Sequence, residues 1–128
     1  MASKDKKNLK SKSFVDSFRH AFCGIGYGIK NAKNLQFDLG FFVVVVIFGF
    51  VFEISLLEWI AILICSLIVM SLELMNTALE EAVNLAMPNI HPLAKASKDV
   101  AAGSVLVAAL FSVVVGLIIF IPKFIALF

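Results

Sequence analysis

In the stretch "ELMNTALEEAVN", residues 73–84, five polar side chains recur at helical spacing: Glu73, Asn76, Thr77, Glu80 and Asn84. They follow directly on the charge-free run from Trp59 to Leu72. At about 100° per residue, Asn76 falls about 60° to one side of Glu73 and Thr77 about 40° to the other, with Glu80 and Asn84 within about 20°. The five therefore share one face, about 16 Å long. Glu81 lies on its flank, and Leu74, Met75, Leu79 and Val83 form the opposite, apolar face. Ionisable groups inside a hydrophobic span are costly and usually face a bundle interior or a wet cavity. Asn and Thr alone often serve as interhelical hydrogen bonds. Two carboxylates on a stripe that reaches the interface point instead to a site.

The residue types suggest a chemistry. A carboxylate beside a lipid hydroxyl can act as general base. A second can hold Mg²⁺, which prefers hard oxygen ligands and usually arrives with phosphates. A lysine can neutralise phosphate charge during phosphoryl transfer, and Lys95 and Lys98 follow where the stripe emerges. Neither a Walker loop nor the Gly-rich loop of soluble kinases is present. Spacing alone supports a polar intramembrane site open to the cytoplasm and leaves the reaction open.

Three long spans must carry that stripe. The chain is 61% hydrophobic over 128 residues, above the roughly half that soluble domains show. Its apolar residues are gathered into runs at about 35–52, 56–86 and 100–121, each close to the roughly 20 residues a bilayer needs. Ahead of them, Phe14, Val15, Phe18, Ala21, Phe22, Ile25 and Ile29 form one face of a helix at about 13–30, which predicts a helix lying on the membrane surface. Ser13 can cap its start. Residues 1–12 read as a basic, solvated tail, not a cleavable signal peptide. Residues 13–128 read as one all-α integral membrane domain. Glu53 to Glu58 is a turn, Pro88 and Pro92 open a loop over 87–99, and Pro122 and Lys123 mark the exit of the last span. Eight of the eleven basic residues precede the first span and two more lie at 95 and 98. The positive-inside rule then puts the N-terminus and the 87–99 segment in the cytoplasm and the C-terminus outside. Cys23 and Cys65 read as apolar fillers, His91 as a loop hydrogen-bonding residue, Trp59, Phe41 and Phe42 as interfacial or lipid-facing anchors, and Gly103 as a close-packing position. No nucleic-acid partner is expected.

"ELMNTALEEAV" followed by "HPLAKASKDVAAG" resembles the prokaryotic diacylglycerol kinase family, most closely its Gram-positive undecaprenol kinase branch. "FRHAFCGIGYGIKNAKN" resembles the family's surface helix and the approach to its first span, so the likeness covers about residues 14–122. It implies a homotrimer in the bacterial cytoplasmic membrane that transfers the γ-phosphoryl of ATP to a lipid alcohol, undecaprenol or diacylglycerol, with Mg²⁺. It implies Glu73 as catalytic base, Asn76 as its partner, Glu80 as metal ligand, and Lys98 and Asp99 as the nucleotide-contacting pair, with Asn84 beside the nucleotide.

Two positions depart from the family pattern. Ala32 stands where a second metal-binding Glu is expected, and Asn84 where an Asp closes the central motif. Both remove negative charge from the metal-nucleotide side. A catalytically weak or inactive trimeric homologue acting as a membrane binding protein is therefore the alternative to a kinase. A small proton-coupled exporter is a third reading, disfavoured by three spans and the basic cytoplasmic segment.

Overall fold

The computed structural model describes residues 13–128; the basic tail assigned to residues 1–12 lies outside them. Four helices follow in chain order: α1 (Phe14–Asn31), α2 (Lys33–Val51), α3 (Leu56–Ala86) and α4 (Pro92–Ile125). The last three are long and apolar enough to cross a membrane, so the fold is an all-α membrane architecture with an amphipathic helix before the first span.

Helix α1 keeps Phe14, Phe18 and Phe22 exposed, as a helix that buries its apolar face in lipid does. Ser13 takes the N-cap position, but its side chain makes no capping bond; its carbonyl accepts the Asp16 N–H at 3.0 Å instead. The chain turns into α2 at Ala32, which has extended backbone and is buried. The Gln36 amide spans this elbow and donates to the Ile29 carbonyl at 2.7 Å. Gly28 lets the elbow seat on α3, because any Cβ there would run into the Leu74 side chain.

At the other end, Glu53 adopts a positive φ of 51°. Ser55 and Glu58 then form a capping box that starts α3: the Ser55 hydroxyl accepts the Glu58 N–H at 3.2 Å and the Ser55 N–H donates to Glu58 at 3.0 Å. Ile54, Ile62 and Ile119 are buried together at this end, with Phe52, Trp59 and Phe120 packed around them. The half-buried Trp59 ring lies against Gly49 and 4.9 Å from the Phe50 ring, in the first turn of α3. Phe41 is exposed, while Phe42 is half-buried and turned toward the interior of the fold.

Helices α3 and α4 run antiparallel and are tied at both ends. Lys123 pairs with Glu58 at 2.9 Å, and Lys98 donates to Asn84. These ties set the register, so Ala109 falls at the level of Glu73 and Gly116 at the level of Ser66.

Two boundaries differ from the sequence expectation. The segment after α3 is not a loop over 87–99, because α4 begins at Pro92. Proline at the first helical position has a suitable φ and gives up no needed hydrogen bond, and His91 Nδ1 caps the helix by accepting the Leu93 N–H at 3.1 Å. Lys95, Lys98 and Asp99 are therefore helical. Nor does Pro122 end the helix, since α4 continues to Ile125; a proline close to a helix end forfeits only one late bond. Gly103 does not mark a tight contact within the chain, since a Cβ there would meet nothing within 4 Å.

Candidate functional site

The polar stripe of α3 is a face, as its spacing requires. Glu73 and Asn76 are its buried members at 5% and 8% exposure, Thr77 is half-buried, and Glu80 and Asn84 are exposed. The stripe thus runs from the protein interior out to the end that carries Lys95 and Lys98. Thr77 is used locally: its hydroxyl donates to the Glu73 carbonyl one turn back at 3.0 Å, a habit of Thr in helices. The Asn76 amide nitrogen donates to Glu80 at 3.4 Å, which links the inner and outer halves. Its carbonyl oxygen is buried with no partner among the described residues.

Helix α2 completes the inner end with two residues that the stripe did not reveal. Asn34 and Asp38 both lie near the Glu73 carboxyl. One oxygen of Asp38 is buried and, like the Asn76 carbonyl, finds no partner among the described residues. Asn34 and Asp38 are four residues apart, hence on one face of α2. That spacing is the signal that could have found them. No lysine or arginine among the described residues pairs with Glu73, Glu80 or Asp38.

At the outer end Lys98 reaches across from α4 to Asn84. Asp99 is not part of this contact: it pairs with Lys95 at 2.6 Å on the exposed side of α4. Adjacent residues on a helix diverge by about 100°, so Lys98 turns toward the stripe while Asp99 turns away. Glu73, Asn76 and Glu80 are thus brought together, Lys98 and Asn84 are brought together at the rim, and Asp99 stands apart.

No three His, Cys, Asp or Glu side chains converge into a metal cluster among the described residues. The oxygen donors at the middle of the stripe are the Glu80 carboxylate and the free Asn76 carbonyl. That set suits Mg²⁺ delivered on phosphates, since this ion keeps several waters and takes one or two carboxylates from the protein. Ala32 adds no donor.

Known proteins resemble this chain over most of its length. A family model described as prokaryotic diacylglycerol kinase matches residues 19–120. The chain is 45% identical to an undecaprenol kinase of Bacillus subtilis over 123 residues, covering 96% of this chain and 99% of that protein. It is 36% identical to a diacylglycerol kinase of Synechocystis over 112 residues, 87% of this chain and 64% of that protein. A diacylglycerol kinase of Sinorhizobium is 30% identical over 87 residues, 63% of this chain and 64% of that protein.

Proposed function

The chain belongs to the prokaryotic diacylglycerol kinase family, and from that premise we propose that it phosphorylates undecaprenol with ATP at the cytoplasmic face of the bacterial cell membrane. The observation that carries this reading is the buried carboxylate of Glu73 at the inner end of a stripe that reaches Lys98 at the rim. Undecaprenol is preferred to diacylglycerol as acceptor because the undecaprenol kinase relative aligns over nearly all of both chains. The relatives are named as kinases, which lends no support to a non-catalytic role.

In this reading Glu73 takes the proton of the acceptor hydroxyl as its oxygen attacks the γ-phosphorus. The bond to the β-phosphate oxygen breaks, and ADP leaves. Burial of Glu73 and its closeness to Asn34 hold the carboxyl where a lipid hydroxyl arrives. Asn76 steadies Glu80 through its amide. Glu80 would hold Mg²⁺, which neutralises phosphate charge when bound. Lys98 adds a cation at the rim that a phosphate oxygen can exchange for Asn84. The basic residues Lys30, Lys33, Lys95 and Lys98 gather at the end where the stripe opens, while Lys123 at the other end is neutralised by Glu58. That asymmetry supports an N-terminus on the cytoplasmic side. The exposed apolar faces of the spans leave room for the homotrimer that the family likeness implies.

The test offers purified protein undecaprenol and diacylglycerol in one mixture with labelled ATP. Faster labelling of undecaprenol is expected. A clear preference for diacylglycerol would overturn the acceptor assignment, and labelling of neither would overturn the kinase reading.

A further inference from the structure

Helix α4 begins on a histidine cap: His91 Nδ1 accepts the Leu93 N–H at 3.1 Å. A backbone N–H can only donate, so Nδ1 must offer a lone pair, and the ring is neutral with its proton on Nε2. Helix N-caps are ordinarily Ser, Thr, Asp or Asn, whose oxygens still accept a hydrogen bond at any pH near neutrality. A protonated imidazole carries hydrogen on both nitrogens and accepts nothing. Its charge would also face the positive end of the helix dipole. Both effects oppose the cap, and imidazoles ordinarily gain that proton within the pH range 5 to 8.

The surroundings supply no carboxylate to hold an imidazolium in place. On its own helix the nearest charge is Lys95, one turn on, which pairs with Asp99. Among the described residues α3 is the one helix packed against α4. Its titratable side chains toward this end are Glu80 and Glu81, and about 8 Å of helix separates Glu81 from Ala86. The connecting residues Met87 to Ile90 carry no titratable side chain. None of these groups forms an ion pair with His91.

The start of α4 depends on this cap because little else holds it. Ala101 is the first buried residue of the helix. Before it, the Lys95 N–H donates to the His91 carbonyl at 3.0 Å, and Lys98 reaches across to Asn84. We infer that His91 is an acid-sensitive latch on the first two turns of α4. The neutral ring closes the helix start and keeps Lys98 at the rim beside Asn84. Protonation frees those turns, so the order they contribute is present at neutral pH and lost as the pH falls through the imidazole range. Acid therefore weakens nucleotide binding at the rim; this consequence rests on the lipid-kinase reading, whereas the latch does not.

Hydrogen exchange of the detergent-purified full chain reads the latch without any substrate. Every protein in the series carries His20→Gln, which leaves His91 as the sole histidine of the chain. Protection of the Leu93 and Lys95 amides, each taken relative to its intrinsic rate at the same pH, should fall about ten-fold from pH 7.5 to pH 5.5. His91→Ser keeps a cap that does not titrate, and its protection should be equal at the two pH values. His91→Ala has no cap and should be unprotected at both. No fall in the His91 protein, the same fall in His91→Ser, or full protection in His91→Ala would each overturn the latch. With labelled ATP and undecaprenol, the KM for Mg·ATP should rise over the same interval about three-fold more in the His91 protein than in His91→Ser, a ratio that cancels the titration of ATP itself. A latch that opens in exchange without that difference would overturn its coupling to the rim. Absence of transfer in every protein would remove the kinase reading, and the exchange result would still decide the latch.

Discussion

Ala32→Glu and Asn84→Asp restore the two acids that the family pattern leads one to expect, and the structure assigns them unequal effects. Asn84 is exposed and accepts a hydrogen bond from Lys98. An aspartate there makes a rim ion pair, worth about 0.2–1 kcal/mol, and partly occupies the lysine that the phosphates would use. Asn84→Asp should therefore change the KM for Mg·ATP by no more than about five-fold. Ala32 differs because it is 8% exposed, and a carboxylate added there would be largely desolvated until a metal arrives. An unpaired charge in that position should cost the metal-free protein about 1–3 kcal/mol. A further carboxylate ligand should lower the Mg²⁺ midpoint for transfer about ten-fold, equivalent to about 1.4 kcal/mol. Mg²⁺ with a non-hydrolysable ATP analogue should also raise the Tm of Ala32→Glu more than that of the parent, because ligand binding stabilises by mass action. The assays are Mg²⁺ titrations of lipid phosphorylation and of Tm for the parent, both single variants and the double variant. If the parent already saturates at the same Mg²⁺ concentration as Ala32→Glu and shows the same Tm shift, the metal assignment built on Glu80 is wrong.

Gly49→Ala should lower the Tm at a site remote from chemistry, because its Cβ would lie 2.5–3.1 Å from three carbons of the rigid Trp59 ring; the cost should be about 1–3 kcal/mol, with kcat unchanged. His91→Ala removes the cap on α4 and should cost about 1 kcal/mol. Hydrogen exchange at residues 92–95 should speed up, and the KM for ATP should rise, since Lys98 stands on that first stretch of helix. Single cysteines at Lys6 and Leu127, in a chain lacking Cys23 and Cys65, should react with an impermeant reagent from opposite sides of sealed vesicles. Reaction from the same side would contradict three crossings.

The long elements and the α3 site face were legible in the residues because each rests on local periodicity. Helix α1 spans 14–31 and α3 spans 56–86. The polar stripe could be read because one lipid-buried helix offers few polar residues, and five of them agreed in phase. The start of α4 was misplaced because prolines were read only as breakers. Pro92 ends one segment and begins the next, and the cap that decides between these roles is a side chain, His91. Asn34 and Asp38 were missed because α2 is apolar on nearly all sides, so its sequence carries little information about which face turns inward. Their meeting with Glu73 depends on the elbow at Ala32 and on the seat of Gly28 against Leu74, both tertiary. The divergence of Lys98 and Asp99 was available from helical geometry once residues 92–99 were known to be helical.

The most direct test of the central claim is the initial rate of γ-phosphoryl transfer from ATP to undecaprenol, measured for the parent chain and for Glu73→Gln under saturating Mg²⁺. The amide keeps the size of the buried side chain and removes the proton acceptor. The account predicts undecaprenyl phosphate from the parent and a loss of about 10² or more in kcat for the variant, with the Tm held or raised because a buried carboxyl close to Asp38 is relieved. Equal rates for the two folded proteins, or no product from the parent, would contradict it.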